Sequence, residues 1–123
     1  MTEVLFTDRE LDVMAVLWDL GSGTVAEVKD RLPDPLAYTT VLTILRTLEE
    51  KARVAHKEEG RAYRYYPLVQ RTEARDSHVK RLTRKLFQNS PELLVTQLVA
   101  NENLSGEQLK RLRGLLDDRL KKG

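Results

Sequence analysis

Two hard stops constrain what this chain can fold into. Gly21-Ser22-Gly23 and the pair Pro33 and Pro35 cut residues 1–51 into three segments, each too short to stand as a helix without packing partners. The start of the chain must therefore be short helices that bury their apolar stripes against one another. Start signals fall where the stops leave room. In Phe6-Thr7-Asp8-Arg9-Glu10-Leu11, Thr7 and Glu10 have capping-box spacing and Phe6 is placed to staple onto Leu11. A helix from Asp8 to Leu20 is predicted, with Leu11, Met14, Ala15 and Trp18 at helical spacing. Thr24-Val25-Ala26-Glu27 repeats the capping-box pattern and opens a second helix that ends near Leu32. A third helix is expected from Thr39 to Glu50 or Lys51, because Val41, Ile44, Leu45 and Leu48 form one stripe.

Behind the third helix the period changes. Arg53 to Lys57 reads as a strand, Glu58-Glu59-Gly60-Arg61 as a turn and Ala62 to Tyr66 as the returning strand, a hairpin with glycine in its connection. From Gln70 onward no strand pattern returns. A long helix is expected over Thr72 to Gln88 with Val79, Leu82 and Leu86 along one side, broken by Asn89-Ser90-Pro91. A short helix from Glu92 to Ala100 follows. Ser105 and Gln108 form another capping box, with Leu104 and Leu109 as its staple. The helix they open has a wide apolar face of Leu109, Leu112, Leu115, Leu116 and Leu120. The fold class is thus mainly α. Residues 1–68 have the element order of a winged helix-turn-helix with a small hairpin wing, and residues 69–123 are expected to form a helical dimerisation domain. Two such half-size domains are each marginal alone, which calls for a partner subunit.

Charge distribution complicates a nucleic-acid reading. Residues 1–69 hold 9 Lys or Arg against 12 Asp or Glu, net −3, while residues 70–123 hold 12 against 7, net +5. The half with the winged pattern is the acidic one, so any DNA contact must rest on local placement of its basic residues. On the outward face of the third helix stand Thr39, Thr43 and Arg46, flanked by Thr40 and Thr47. Short threonines let a helix approach base edges closely, their methyls suit thymine methyls, and Arg46 is able to contact guanine through two hydrogen bonds. The hairpin concentrates Arg53, Lys57, Arg61 and Arg64, with Arg61 at the tip; Tyr63 and Tyr65 share one side and Arg64 and Tyr66 the other. The competing readings are a helical domain with a solvated hairpin and a winged-helix module for protein partners, the latter favoured by the −3.

Enzymatic chemistry finds little support. Cysteine is absent, which excludes disulfides and thiolate metal sites and suits a reducing cytoplasm. His56 and His78 stand apart, outside any metal-ligand spacing, and no phosphate loop, nucleophile elbow or paired catalytic carboxylates occur. Neither a metal nor a small-molecule cofactor is expected. No apolar run approaches the roughly 20 residues that span a bilayer. Met1 to Phe6 lacks the basic and apolar regions of a secretion signal, so the expected location is the cytoplasm.

The run from Ala37-Tyr38-Thr39-Thr40-Val41-Leu42-Thr43 to Lys51, followed by Gly60-Arg61-Ala62-Tyr63-Arg64-Tyr65-Tyr66-Pro67, resembles the penicillinase-repressor family, the BlaI, MecI and CopY type. The stretch from Glu10 to Trp18 and the closing Asn103 to Leu116 fit the same family, so the resemblance covers nearly the whole chain. It implies a homodimer on a palindromic operator in double-stranded DNA, repressing genes tied to β-lactam response or copper homeostasis. Carried over, it assigns base contact to Thr39, Thr40, Thr43 and Arg46 and backbone contact to Tyr38 and Arg61. Pairing falls to Val79, Leu82, Leu86, Leu98, Leu109, Leu112, Leu116 and Leu120. Three departures stand out. Ala52 occupies the place of a usual glycine after the recognition helix. The cysteine cluster of the copper-responsive branch is absent. Gln97-Leu98 aligns where the antibiotic-responsive branch is cut by a signal-dependent protease between Asn and Phe.

Overall fold

The computed structural model describes residues 3–123. Its elements are α1 (Asp8–Leu20), β1 (Gly23–Thr24), α2 (Val25–Arg31), α3 (Tyr38–Glu50), β2 (Val54–Glu59), β3 (Ala62–Pro67), α4 (Arg71–Leu86), α5 (Pro91–Asn101) and α6 (Gly106–Lys122). They divide into two compact units, the first ending at Arg81 and the second running from Leu82 to Gly123.

In the first unit the expected capping box opens α1. Thr7 Oγ1 accepts from the Glu10 amide at 3.2 Å, and Glu10 Oε1 accepts from the Thr7 amide at 2.8 Å. The other carboxylate oxygen accepts from Lys51 Nζ at 2.9 Å, so one side chain, only 4% exposed, pins the start of α1 to the end of α3. Burial pushes the Glu10 carboxyl up, but the Thr7 amide and the Lys51 ammonium outweigh it and hold the group below the usual glutamate value.

The core joins Val13, Met14 and Leu17 of α1, Val28 of α2, Val41, Leu45 and Leu48 of α3, and Val54 and Tyr65 of the sheet. Phe6 meets Trp18 edge to face, and the indole Nε1 donates to the Val69 carbonyl at 2.8 Å. Ser77 Oγ accepts from the Val4 amide and His78 Nε2 from the Phe6 amide, at 2.9 and 3.2 Å. These bonds and the buried Ala74 hold the first turns of α4 in the first unit, which therefore continues past residue 68 to Arg81.

The antiparallel sheet has the order β1-β3-β2. β1 was not expected: Gly23 and Thr24, read only as a helix stop and a cap, also pair with Tyr65 and Arg64. The hairpin is longer than its sequence pattern implied. Glu58 and Glu59 lie within β2, opposite Tyr63 and Ala62, and the connection shrinks to Gly60-Arg61, with Gly60 at φ 62° as a tight two-residue turn requires.

α3 ends in a Schellman motif. The Arg53 amide donates to the Leu48 carbonyl at 2.9 Å and the Ala52 amide to the Glu49 carbonyl at 3.0 Å, which puts Ala52 in the left-handed region at φ 61°. The cost of a Cβ there is about 1 kcal/mol.

In the second unit Ser90 Oγ accepts from the Leu93 amide to cap α5, with Pro91 in its first turn, and Ser105 and Gln108 complete their capping box on α6. Neither α5 nor α6 has a buried residue. No helix among the described residues is long and apolar enough to cross a membrane.

Ala52→Gly is expected to raise unfolding stability by about 1 kcal/mol, read by urea denaturation. A second expectation concerns pH. Because the Glu10 carboxyl is lowered in the folded state, its contribution is complete above the ordinary value of 4.5 and disappears as pH falls through the lowered one. Thermal melts at pH 3–7 should show this acid loss in the native chain, and Glu10→Gln should reduce it while lowering stability near neutrality.

Candidate nucleic-acid interface

α3 is seated by Val41, Leu45 and Leu48, all fully buried, with Ile44 partly buried beside them. Seating that stripe turns the opposite face outward, and Tyr38, Thr39, Thr40, Thr43 and Arg46 are all exposed. Tyr38 lies inside the helix, one residue before the expected start, because the N-cap is Ala37. Ala37 offers no side-chain acceptor, so no side-chain cap covers the first amides of α3, next to Tyr38 and Thr39. Thr43 donates its hydroxyl to the Thr39 carbonyl at 2.9 Å, which leaves outward a methyl and a lone pair. Arg46 has no hydrogen bond or ion pair among the described residues, and the same holds for Arg61 at the wing tip.

The four cations concentrated on the hairpin are not equally available. Arg64 does not present its charge outward. Its Nε and Nη2 donate to the two oxygens of Glu59 at 3.1 and 2.8 Å, and Nη1 and Nη2 donate to the two oxygens of Glu27 at 3.0 Å each. Hydrogen bonds from Arg64 lead the forces that hold both carboxyls below the ordinary glutamate value, and the carboxylates in turn raise the Arg64 guanidinium further. Arg53 is half-buried, with an enclosed Nε that meets no acceptor. Lys57 lies over the Tyr66 ring at 5.6 Å. Arg61 is thus the cation left most open on the hairpin.

His56, set aside as chemically inert in the sequence, ties the wing to α3. Its Nδ1 donates to Glu49 at 2.6 Å, and its ring stacks on Tyr63 with centroids 4.2 Å apart. Tyr65 is buried beneath, its hydroxyl pushed up by burial and by the Glu49 charge. Sequence reasoning missed the Arg64 cluster for two reasons. Glu27 was read only as the partner of its cap, although Thr24 Oγ1 does accept from its amide at 3.2 Å. Glu59 and Arg64 become diagonal neighbours on one hairpin face only once the connection is two residues long.

The pairing candidates lie elsewhere. Val79, Leu82, Leu86, Leu98, Leu109, Leu112, Leu116 and Leu120 are all exposed, reaching 78% at Leu120. The Gln97-Leu98 bond lies within α5. Among the described residues no group of three or more His, Asp or Glu is placed to hold a metal ion.

Three short helices with the third seated on the first, closed by a small sheet with a projecting hairpin, define a winged helix-turn-helix. The family model described as penicillinase repressor matches residues 6–118. The chain is 26% identical to the penicillinase repressor of Bacillus licheniformis over 114 residues, 91% of this chain and 89% of that one. It is 24% identical to the penicillinase repressor of Staphylococcus aureus over 122 residues, 98% and 97% of the two chains. Among solved structures, the solution structure of the DNA-binding domain of the repressor BlaI superposes with a TM-score of 0.51 at 31% identity, covering 55% of this chain and 85% of that one. This chain belongs to the penicillinase repressor family and is a transcriptional repressor.

Proposed function

We propose that the protein represses transcription in the cytoplasm by holding palindromic operator DNA as a homodimer, in a response to β-lactams or cell-wall stress. The observation that carries this reading is the outward face of α3. Thr39, Thr40, Thr43 and Arg46 are exposed beside a helix start without a side-chain cap, and the open Arg61 lies on the hairpin of the same unit. Acidity is the support for a protein-binding module, yet at least six of the twelve carboxylates in this half are engaged by cations or histidine within the fold. Glu10 meets Lys51, Glu27 and Glu59 meet Arg64, Glu49 meets His56, Asp19 meets Arg71 and Asp34 meets Arg9. Base contact is assigned to Thr39, Thr40, Thr43 and Arg46, and phosphate contact to Tyr38 and Arg61.

Pairing is assigned to the second unit, with Val79 just before it on α4, because α5 and α6 bury none of their own residues. Amphipathic helices without a core require an apolar surface to cover them, and a second copy offers the matching one. Release of DNA by a signal-dependent protease at Gln97-Leu98 requires α5 to unwind locally first, since the bond is helical.

Gel retardation on the chain's own upstream DNA and on random DNA, across salt, tests the interface. Arg46→Ala should cost about 1–3 kcal/mol on the operator and much less on random DNA. Arg61→Ala should weaken both alike and lower the salt slope by about 1. Equal losses on both DNAs for Arg46→Ala refute base reading. For pairing, the intact chain at micromolar concentration should sediment as twice its 14.2 kDa mass, and Leu112→Asp with Leu116→Asp should yield monomers. A native chain that sediments as a monomer refutes the homodimer.

A further inference from the structure

We propose that Arg64 is a positioning residue for DNA binding: it clamps the wing to the helix-turn-helix so that Arg61 is held ready for the DNA backbone. The inference rests on the DNA-binding reading above and adds to it a residue that touches no DNA. Arginine has five N–H donors in a rigid fork. All are engaged here: four with the paired oxygens of Glu27 and Glu59, and one with Ser22 Oγ at 3.4 Å. Nothing remains for a phosphate. The three partners come from different places, Glu27 in the first turn of α2, Ser22 in the connection before β1, and Glu59 at the far end of β2.

The position of the clamp along the hairpin gives it leverage. β3 pairs on one side with β1 only as far as Thr24↔Arg64. Beyond that register the hairpin is a two-stranded ribbon of Glu58 and Glu59 against Ala62 and Tyr63. Two-stranded ribbons are marginal in water without further support. Arg64 is the last residue held by the third strand, and its guanidinium reaches forward to Glu59, adjacent to the Gly60-Arg61 turn. On the opposite face the His56 ring, fixed by Glu49, supports Tyr63. The ribbon is braced on both faces, to α2 by arginine and to α3 by histidine.

A clamp and a phosphate contact predict different behaviour. Exposed ion pairs add little to overall stability, so loss of this one should register in the position of the tip more than in unfolding. Arg64→Lys keeps the charge and loses the fork. If Arg64 clamps, this variant loses operator affinity by roughly threefold to tenfold with an unchanged salt slope, and the loss vanishes when Arg61→Ala is already present. If Arg64 instead contacts phosphate, Arg64→Lys retains affinity, Arg64→Gln lowers the salt slope by about 1, and losses add to those of Arg61→Ala; this overturns the proposal. A second measurement is independent of DNA. Backbone amide relaxation should give Gly60 and Arg61 order parameters of about 0.85 in the native chain and clearly lower ones in Arg64→Lys. Equal order parameters in both proteins overturn the clamp whether or not DNA binds, whereas a native chain without operator binding refutes the underlying function alone.

Discussion

The first unit depends on one constraint: α3 must bury Val41, Leu45 and Leu48 while leaving its opposite side clear. Val13, Met14 and Leu17 of α1 supply the opposing apolar surface. A stripe of three fully buried residues at helical spacing fixes the rotation of α3 about its own axis, so the outward direction of Thr39, Thr43 and Arg46 follows from the packing. Glu10 and Lys51 then fix its end, because a charge taken out of water needs a specific partner where a greasy contact would accept many. Hydrophobic seating sets the orientation of the helix, and a buried polar tie sets its register.

Sequence reasoning reached this point because each of its signals was local. Capping boxes at Thr7 and Ser105, the stops at Gly21 and Pro33, and the stripe of α3 are all decided within one or two helical turns, and the helices appear where those signals place them. What stayed hidden needed pairing partners. The two-residue β1 has no pattern of its own and exists only because Tyr65 and Arg64 lie alongside. Glu58 and Glu59 carry poor strand propensity and read as a turn, yet the ladder to Tyr63 and Ala62 draws them into β2. Arg64 followed the same course: alternation placed it on the correct face, and only the register showed two glutamates already waiting there. For Ala52 the position of a usual glycine raised the question, and φ 61° answers it.

Local pairing also explains how an acidic half can carry the proposed DNA-facing surface. Net charge counts every carboxylate equally, but a carboxylate engaged by an adjacent cation has a field that falls away quickly in water and salt. Acid–cation pairs are spread over α1, α2 and the hairpin, while Arg46 on α3 and Arg61 in the hairpin turn have none among the described residues. Such an arrangement lowers indiscriminate attraction to nucleic acid and gives individual contacts more weight.

The coreless helices α5 and α6 have a further consequence, for the lifetime of the chain in the cell. An uncovered row of leucines is the kind of surface that chaperones and quality-control proteases act on, and under the proposed homodimer a newly made chain displays it until a second copy arrives. On that reading, survival of each molecule depends on how many others are present. A regulator that pairs as proposed would have a floor to its useful abundance: below it, copies would be removed faster than they meet, and above it, each encounter would protect both.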